Sequence, residues 1–380
     1  MRYHPRMRTD ELDFELPEDR IATQAAEPRD AARLMVVHRD SGRVEHRQVR
    51  DLPDLGVLRA GDLMLVNHTR VLPASFQATR LATGGKVNGL FLETVTETIS
   101  GATSGGGWRV MLEARGSLRE GESLAFGDGT RFVLTANEGA GVWRIVVPAE
   151  SGPPEQLLPS GGGVTPLPPY IRKARKHRGE PPVTPEDAVR YNTIYARRDK
   201  AASVAAPTAG LHFTPELLDR LASQGVQMAE LSLNVGAGTF APVRTDTLEE
   251  HAMHREHVHV PQSTLRRIAD TRKAGGRLFV VGTTTVRALE SMPDDAVAAP
   301  PAEGFVTDTQ LFIYPGASPG GYAFRFTDML MTNFHLPRST LLAMIASLPE
   351  MSVERVKQLY REAIAEGYRF YSYGDAMLLA

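Results

Sequence analysis

The chain has 380 residues, of which 42% are hydrophobic and 23% charged, with a formal net charge of −2 and no cysteine. That length holds two domains, or one large core with an insertion, and the composition is that of an ordinary globular protein. The lack of cysteine excludes disulfides, thiolate nucleophiles, iron–sulfur clusters and zinc–thiolate sites, and a pI near 6.6 leaves only local clusters of Lys and Arg to signal a nucleic acid.

At the N-terminus, MRYHPRMRTDELDF is basic but has no apolar stretch behind it, so it does not read as a secretory signal. No run reaches the ~18 apolar residues of a membrane span, and a cytoplasmic protein is expected. A short helix is predicted near ELPEDRIAT, and strands at RLMVVHR and DLMLVNHTRV. From Phe76 the texture changes to short, often alternating runs: SFQATRL, KVNGLFLETV, WRVMLEA, ESLAFG, RFVLTA and VWRIVVPA. Evenly spaced short strands between glycine-rich turns predict a small β-barrel or sandwich. PSGGGVTPLPPYI reads as a return linker. Beyond it, TPEDAVRYNTIYA and TPELLDRLASQG each open with Thr-Pro-Glu. Thr184 and Thr214 are therefore predicted N-caps, and Gly225 the left-handed stop of the second helix. MAELSLNV and RLFVVG read as buried strands, and STLRRIADTRKAGG, RSTLLAMIASL and SVERVKQLYREAIAEG as helices. The alternation predicts an α/β (mixed α+β) domain at 1–70 and 166–380, interrupted by an inserted six-stranded β-barrel at 71–165.

Chemistry-bearing residues fall between these elements. In SVAAPTAGLHF, His212 and Phe213 stand at the mouth of a helix. They are either a satisfied core pair, or a titratable imidazole beside a ring that could stack on a base, with Thr208 adding a hydroxyl. In LSLNVGAGTFAPVR, Gly236 and Gly238 follow a strand. They could bring backbone amides to a ligand, but a third glycine at dinucleotide-binding spacing is missing, and a tight turn is an equal reading. EEHAMHREHVHV contains His251, His254, His257 and His259. Spacing by three drifts around a helix and gives neither His-Glu-x-x-His nor two histidines with one carboxylate. No metal is expected there, and Glu256 is read as an acid or base within a polar cluster.

RLFVVGTTTVRALES sets Gly282, Thr283, Thr284 and Thr285 at a helix start that carries Arg287. Amides, hydroxyls and a positive dipole suit a carboxylate or phosphate, although a plain N-cap explains the same residues. MTNFHLPRSTLL places Asn333 and His335 before a helix that Ser339 or Thr340 can cap. PYIRKARKHRGE gathers Arg172, Lys173, Arg175, Lys176 and Arg178 near Tyr170 and His177, either a solvated loop or a contact for a phosphate backbone. Tyr371 and Tyr373 in YRFYSYGDAMLL are base-stacking platforms or core.

GDLMLVNHTRV, TPLPPYI, AAPTAGLHFT, NVGAGTFAPVR, VVGTTTVRALES, TNFHLPRSTLL and YRFYSYGDAMLL lie, between about Phe14 and Leu379, in the order and roughly the spacing of one family. In these segments the chain closely resembles the S-adenosylmethionine:tRNA ribosyltransferase-isomerase family of queuosine biosynthesis. The resemblance implies an α/β domain with an inserted barrel, S-adenosylmethionine as co-substrate and no metal. It implies a tRNA carrying 7-aminomethyl-7-deazaguanine at the wobble position as partner, no membrane partner, and a monomer. The ribosyl part of the co-substrate would move to the aminomethyl nitrogen and be isomerised, releasing adenine and methionine and leaving epoxyqueuosine in the tRNA. Such chemistry needs a base, an acid and a donor for a developing alkoxide. His212, His335 and Glu256 are the candidates for proton transfer. Arg287, Thr283 and Thr284 are candidates for the methionine carboxylate. Phe213 and the Gly236–Gly238 loop are candidates for adenine, and Thr208 and Asn333 for further substrate contacts. Arg172, Lys173, Arg175, Lys176 and Arg178 are candidates for tRNA.

The chain departs from the family pattern at several places. Asn234 stands where histidine is usual, His257 where tyrosine is usual, and His68 where Asn or Asp is usual. Asn88 and Gly89 replace an acidic and an apolar residue, and ATSGGGWR lengthens a barrel loop. Three rival readings are a divergent relative using the same co-substrate on another amine, a non-catalytic tRNA-binding protein of this fold, and a metal-dependent hydrolase built on the histidine cluster.

Overall fold

The computed structural model describes residues 6–95, 106–197, 201–236, 243, 245–317 and 321–380. Gly238 and residues 101–105 of the long barrel loop lie outside the described residues. Strands β1 (Arg33–Val37), β2 (Val44–Gln48), β3 (Leu63–Asn67) and the short β4 (Arg70–Val71) lead into β5 (Ser75–Arg80), β6 (Lys86–Val95), β7 (Gly106–Ala114), β8 (Ser123–Ala125), β9 (Arg131–Gly139) and β10 (Val142–Val147). Helices α1 (Pro154–Ser160), α2 (Pro169–His177) and α3 (Asp187–Arg190) return the chain to β11 (Ala201–Ser203), which pairs with β4. Then come α4 (Pro215–Ser223), β12 (Gln227–Leu233), β13 (Glu256–Val260), α5 (Gln262–Lys273), β14 (Leu278–Val281), α6 (Thr283–Glu290) and α7 (Asp295–Ala298). The chain closes with β15 (Phe305–Thr309), β16 (Met329–Asn333), α8 (Thr340–Ala346), α9 (Val353–Ala365) and β17 (Ala376–Leu379).

A nine-stranded mixed sheet runs in the order β15-β13-β12-β3-β14-β16-β17-β1-β2. Strands β3, β14, β16 and β17 are buried along their whole length, as unbroken apolar runs covered on both faces must be. Alternate residues point to opposite layers. Leu63, Leu65, Leu278 and Val280 meet the apolar faces of α5, α6, α8 and α9. Met64, Val66, Phe279 and Val281 meet α4 and the 3-10 turn Val49–Leu55. Because β12, β3, β14 and β16 are mutually parallel neighbours, their carboxyl ends lie side by side. That edge is where open α/β sheets form ligand crevices.

The six predicted short strands close into a barrel in the order β10-β7-β6-β5-β8-β9. Its interior is filled by alternate residues, including Phe76, Phe91, Trp108, Phe132, Trp143 and Ile145. Gly89 faces Phe76 across β5 and β6, and a Cβ on Gly89 would lie 2.2 Å from the Phe76 ring. The departure at this position is therefore a packing requirement: the ring occupies the space a side chain would take.

Local expectations fare unevenly. Thr214 caps α4, its hydroxyl accepting from the Leu217 amide at 3.2 Å, and Gly225 turns left-handed behind the helix at φ +82°. Thr184 does not cap. Its own amide donates to Asp187 Oδ2 at 2.7 Å, and only the four-residue α3 forms in TPEDAVRYNTIYA. ELPEDRIAT yields a single 3-10 turn, Glu18–Arg20. The presumed linker is bracketed by α1 and α2, each with proline in its first turn, where a missing N–H costs nothing.

Candidate active site at the carboxyl ends of the parallel strands

Three sharp bends meet at the strand ends. After β14, Gly282 adopts φ +91° and its amide donates to the Met331 carbonyl at 2.8 Å, which turns the chain straight into α6. After β16, the segment Phe334–Arg338 leads to Ser339, whose hydroxyl caps α8 by accepting from the Leu342 amide at 3.2 Å. Between β11 and α4, Pro207 opens the 3-10 turn Thr208–His212. Gly210 is required in that turn, since a Cβ there would lie 2.0 Å from the Tyr195 hydroxyl. These bends, with Tyr170 of α2 and the segment Tyr371–Ser372, line a cavity, a cleft that opens to solvent.

Five of the predicted residues line this cavity: Thr208, Thr283, Thr284, Asn333 and His335. They are linked. Thr208 Oγ1 donates to Asn333 Oδ1 at 2.9 Å, and Asn333 Nδ2 donates to the Tyr371 carbonyl at 3.2 Å. Asn67, at the end of β3, donates to Thr284 Oγ1 at 3.4 Å. Thr285 turns inward to the Val281 carbonyl at 2.6 Å, which leaves Thr283 and Thr284 on the cavity side. Gly282 has no side chain to cap α6, so its first amides stay available to an anion. His335 Nε2 lies 2.8 Å from the Thr332 hydroxyl, and its amide donates to Tyr360 Oη at 3.0 Å. Burial pushes its pKa down to about 3, so the ring is neutral at physiological pH. Among the described residues lining the cavity, none is Asp, Glu, Lys or Arg.

Other candidates lie elsewhere. His212 is 4% exposed. Its Nδ1 is 3.0 Å from the Ala209 carbonyl and its Nε2 3.1 Å from the Gly374 carbonyl. Burial lowers its pKa, although the two carbonyls favour the charged ring. With both nitrogens directed at backbone, the ring ties the Thr208–His212 turn to Gly374 and does not line the cavity. Phe213 is fully buried in the layer that holds Leu217 and Leu221, so it presents no free face to a base. Glu256, at the start of β13, and Arg287, in the last turn of α6, are buried against each other. Arg287 Nη1 donates to Glu256 Oε2, and its Nε donates to the Leu311 carbonyl at 3.1 Å. Their charges neutralise one another away from the cavity wall. Gly236 follows β12 with nothing within 4 Å of a would-be Cβ.

The basic segment is also divided. Arg175 is 3% exposed, donating to both Asp187 oxygens at 2.6 and 2.8 Å and to the Thr23 carbonyl. It is a buried strut, not a surface cation, because its place on α2 faces the chain at Thr23. Burial alone would raise the Asp187 pKa, but Arg175, the Thr184 amide and the Tyr373 hydroxyl hold it below the usual carboxylate range. Arg172, Lys173, Lys176 and Arg178 are exposed. Lys173 meets Glu18 at 3.2 Å, and Arg178 donates to the Asp19 and Ile21 carbonyls. Arg172 and Lys176 are four apart, on one helical face.

The departures at Asn234 and His257 are neighbours, since the Asn234 amide donates to the His257 carbonyl at 2.9 Å. His68 is buried 3.3 Å from Glu230, which also pairs with Arg197 beside a second cleft. Sequence reasoning missed Thr332 and Ser372 as wall residues, to which only the neighbouring motif residues Asn333 and Tyr371 point, and read Thr340 as a possible cap and not as part of the wall.

The chain matches the family model described as queuosine biosynthesis protein over residues 9–379. A relative from Symbiobacterium thermophilum, named S-adenosylmethionine:tRNA ribosyltransferase-isomerase, is 43% identical across 98% of this chain and 100% of its own length. A relative of the same name from Anaeromyxobacter dehalogenans is 45% identical across 98% of this chain and 99% of its own. The crystal structure of an S-adenosylmethionine tRNA ribosyltransferase from Thermotoga maritima is 32% identical, covers 97% of this chain and 100% of that one, and superposes with a TM-score of 0.51.

Proposed function

The chain belongs to the queuosine biosynthesis protein family, and from that premise we propose its reaction. It is a transferase that uses S-adenosylmethionine as co-substrate. It moves and isomerises the ribosyl moiety onto 7-aminomethyl-7-deazaguanine at the tRNA wobble position. The products are epoxyqueuosine-tRNA, adenine and methionine. The observation that carries this reading is the cavity at the strand ends, where Thr208, Thr283, Thr284, Asn333 and His335 converge from three separate family motifs.

The site chemistry suits the steps. The sulfonium acidifies the 5′ carbon, a base takes that proton, and ring opening expels adenine. The tRNA amine adds to the resulting vinyl sulfonium, the ylide closes on the aldehyde, and the alkoxide displaces methionine to form the epoxide. The free amides of α6, with Thr283 and Thr284, receive the methionine carboxylate. His335 is the proton-transfer residue on the wall. His212 acts as a positioning residue for the turn that carries Thr208. Glu256 and Arg287 brace β13 against α6.

The tRNA docks on the exposed cations Arg172, Lys173, Lys176 and Arg178. The α/β part, 1–70 and 166–380, carries the chemistry, and the barrel part, 71–165, is a separate unit that helps seat the tRNA. The protein works as a cytoplasmic monomer; no helix among the described residues is long and apolar enough to cross a membrane. Incubation with S-adenosylmethionine and tRNA bearing the aminomethyl base tests the reading. Nucleoside masses should reveal epoxyqueuosine with matching adenine and methionine. Binding of the co-substrate with no modified nucleoside would favour another amine acceptor.

A further inference from the structure

The cavity must accept a cation if S-adenosylmethionine occupies it, as proposed above. Yet among the described residues on its wall there is no carboxylate to meet a sulfonium. A cation withdrawn from water needs another electron-rich surface. Two rings on the wall offer one. Tyr170 and Tyr371 lie with centroids 4.5 Å apart and planes inclined at 51°, and the Tyr170 hydroxyl is fixed 2.6 Å from Ser372 Oγ.

Packing alone does not account for Tyr371. Its φ is +74°, a left-handed conformation that is costly for a bulky L-residue. The conformation is held from several sides. The Tyr371 amide donates to the Phe334 carbonyl at 3.1 Å, and its carbonyl accepts from Asn333 Nδ2 at 3.2 Å and from the Gly374 amide at 2.9 Å. Thr208 in turn fixes Asn333. A ring that only filled the core could do so from a relaxed backbone. A ring that must stand at one point on a cavity wall justifies the strain.

We infer that the Tyr371 ring, backed by Tyr170, receives the sulfonium of the co-substrate by cation–π attraction. This choice of partner fits the reaction. A carboxylate beside the sulfonium would neutralise its charge and weaken its pull on the 5′ C–H bond. An uncharged π face holds the cation and leaves that charge free to stabilise the ylide. For a desolvated cation such a contact is worth about ten- to thirty-fold in affinity.

The test is calorimetric titration of the full-length protein with S-adenosylmethionine and with S-adenosylhomocysteine, its neutral thioether counterpart. The wild type should prefer the sulfonium by about ten-fold or more. Tyr371→Leu should bring that ratio near one by weakening only sulfonium binding, and Tyr371→Phe, which keeps the ring, should preserve it. A purely structural role would weaken both ligands alike and leave the ratio unchanged, which would overturn the inference. A wild-type ratio near one overturns it without any variant. So does loss of the preference in Tyr371→Phe, which decides the matter if Tyr371→Leu does not fold. Binding of neither ligand to the wild type would remove the proposed function as well, whereas binding of both alike removes this inference alone.

Discussion

Arg175 and its neighbours Arg172 and Lys176 look alike in sequence but should behave oppositely. Arg175→Met deletes the hydrogen bonds to both Asp187 oxygens and to the Thr23 carbonyl, and leaves Asp187 buried with only the Thr184 residue and the Tyr373 hydroxyl for company. Removing one member of a buried ion pair costs about 3–5 kcal/mol, since the remaining charge keeps its desolvation penalty. The loss should be read by far-UV circular dichroism during denaturation. Tryptophan fluorescence would miss it, because both tryptophans, Trp108 and Trp143, sit in the barrel. Its acid dependence has a definite sign. Asp187 is held below its unfolded pKa, so its contribution is present above about pH 4 and disappears as pH falls through the folded value. Without Arg175 that loss should begin at higher pH. Arg172→Ala and Lys176→Ala should leave stability within about 0.5 kcal/mol of wild type. They should instead weaken tRNA binding and lower the salt slope by roughly 0.7–0.9 per lost phosphate contact. If Arg175→Met unfolds at the wild-type denaturant concentration and weakens tRNA binding as Arg172→Ala does, the division of this helix into a buried strut and a docking face is wrong.

Gly89→Ala should destabilise the barrel by about 1–3 kcal/mol, because its Cβ would meet the Phe76 ring at 2.2 Å; tryptophan fluorescence should follow that loss, and Phe76→Leu in the same chain should relieve part of it. His212 and His335 are held below the unfolded histidine value by burial, so the unfolded chain takes up protons first. Stability should therefore be full above about pH 6.5 and decline on acidification, and His335→Gln should flatten that decline in denaturation midpoints compared at pH 5 and pH 8. Asn333→Ala severs the links to Thr208 and Tyr371, and should raise KM for S-adenosylmethionine about ten-fold or more while barrel unfolding stays unchanged.

What the sequence could and could not convey follows from which interactions are local. The barrel strands were legible because alternation is a two-residue signal, and β3 and β14 because an apolar run buried on both faces needs no partner to be recognised. The Thr214 cap was legible because donor and acceptor are three residues apart. Thr184 stands in the same local pattern, yet Asp187 is drawn away by Arg175 and Tyr373 from distant segments, and the helix that the pattern predicts stops after one turn. The same distinction governs the site. Thr283, Thr284, Asn333 and His335 follow strands that end at one edge, so position in the motif predicted position on the wall. Arg287 lies one turn deeper in α6, and which way it points depends on Glu256, a strand residue 31 positions away. No local pattern carries that information.

The departures from the family pattern then acquire different weights. Gly89 answers to Phe76 within the barrel and stands apart from the cavity chemistry. Asn234 and His257 are joined through backbone, at the register where β12 meets β13, so their side chains can change while the link between the strands persists. None of these three residues lines the cavity, and the wall is drawn instead from the motifs that carry the resemblance. Residues at the strand ends are constrained by what they hold, and residues in the barrel and along the β12–β13 edge by what packs beside them.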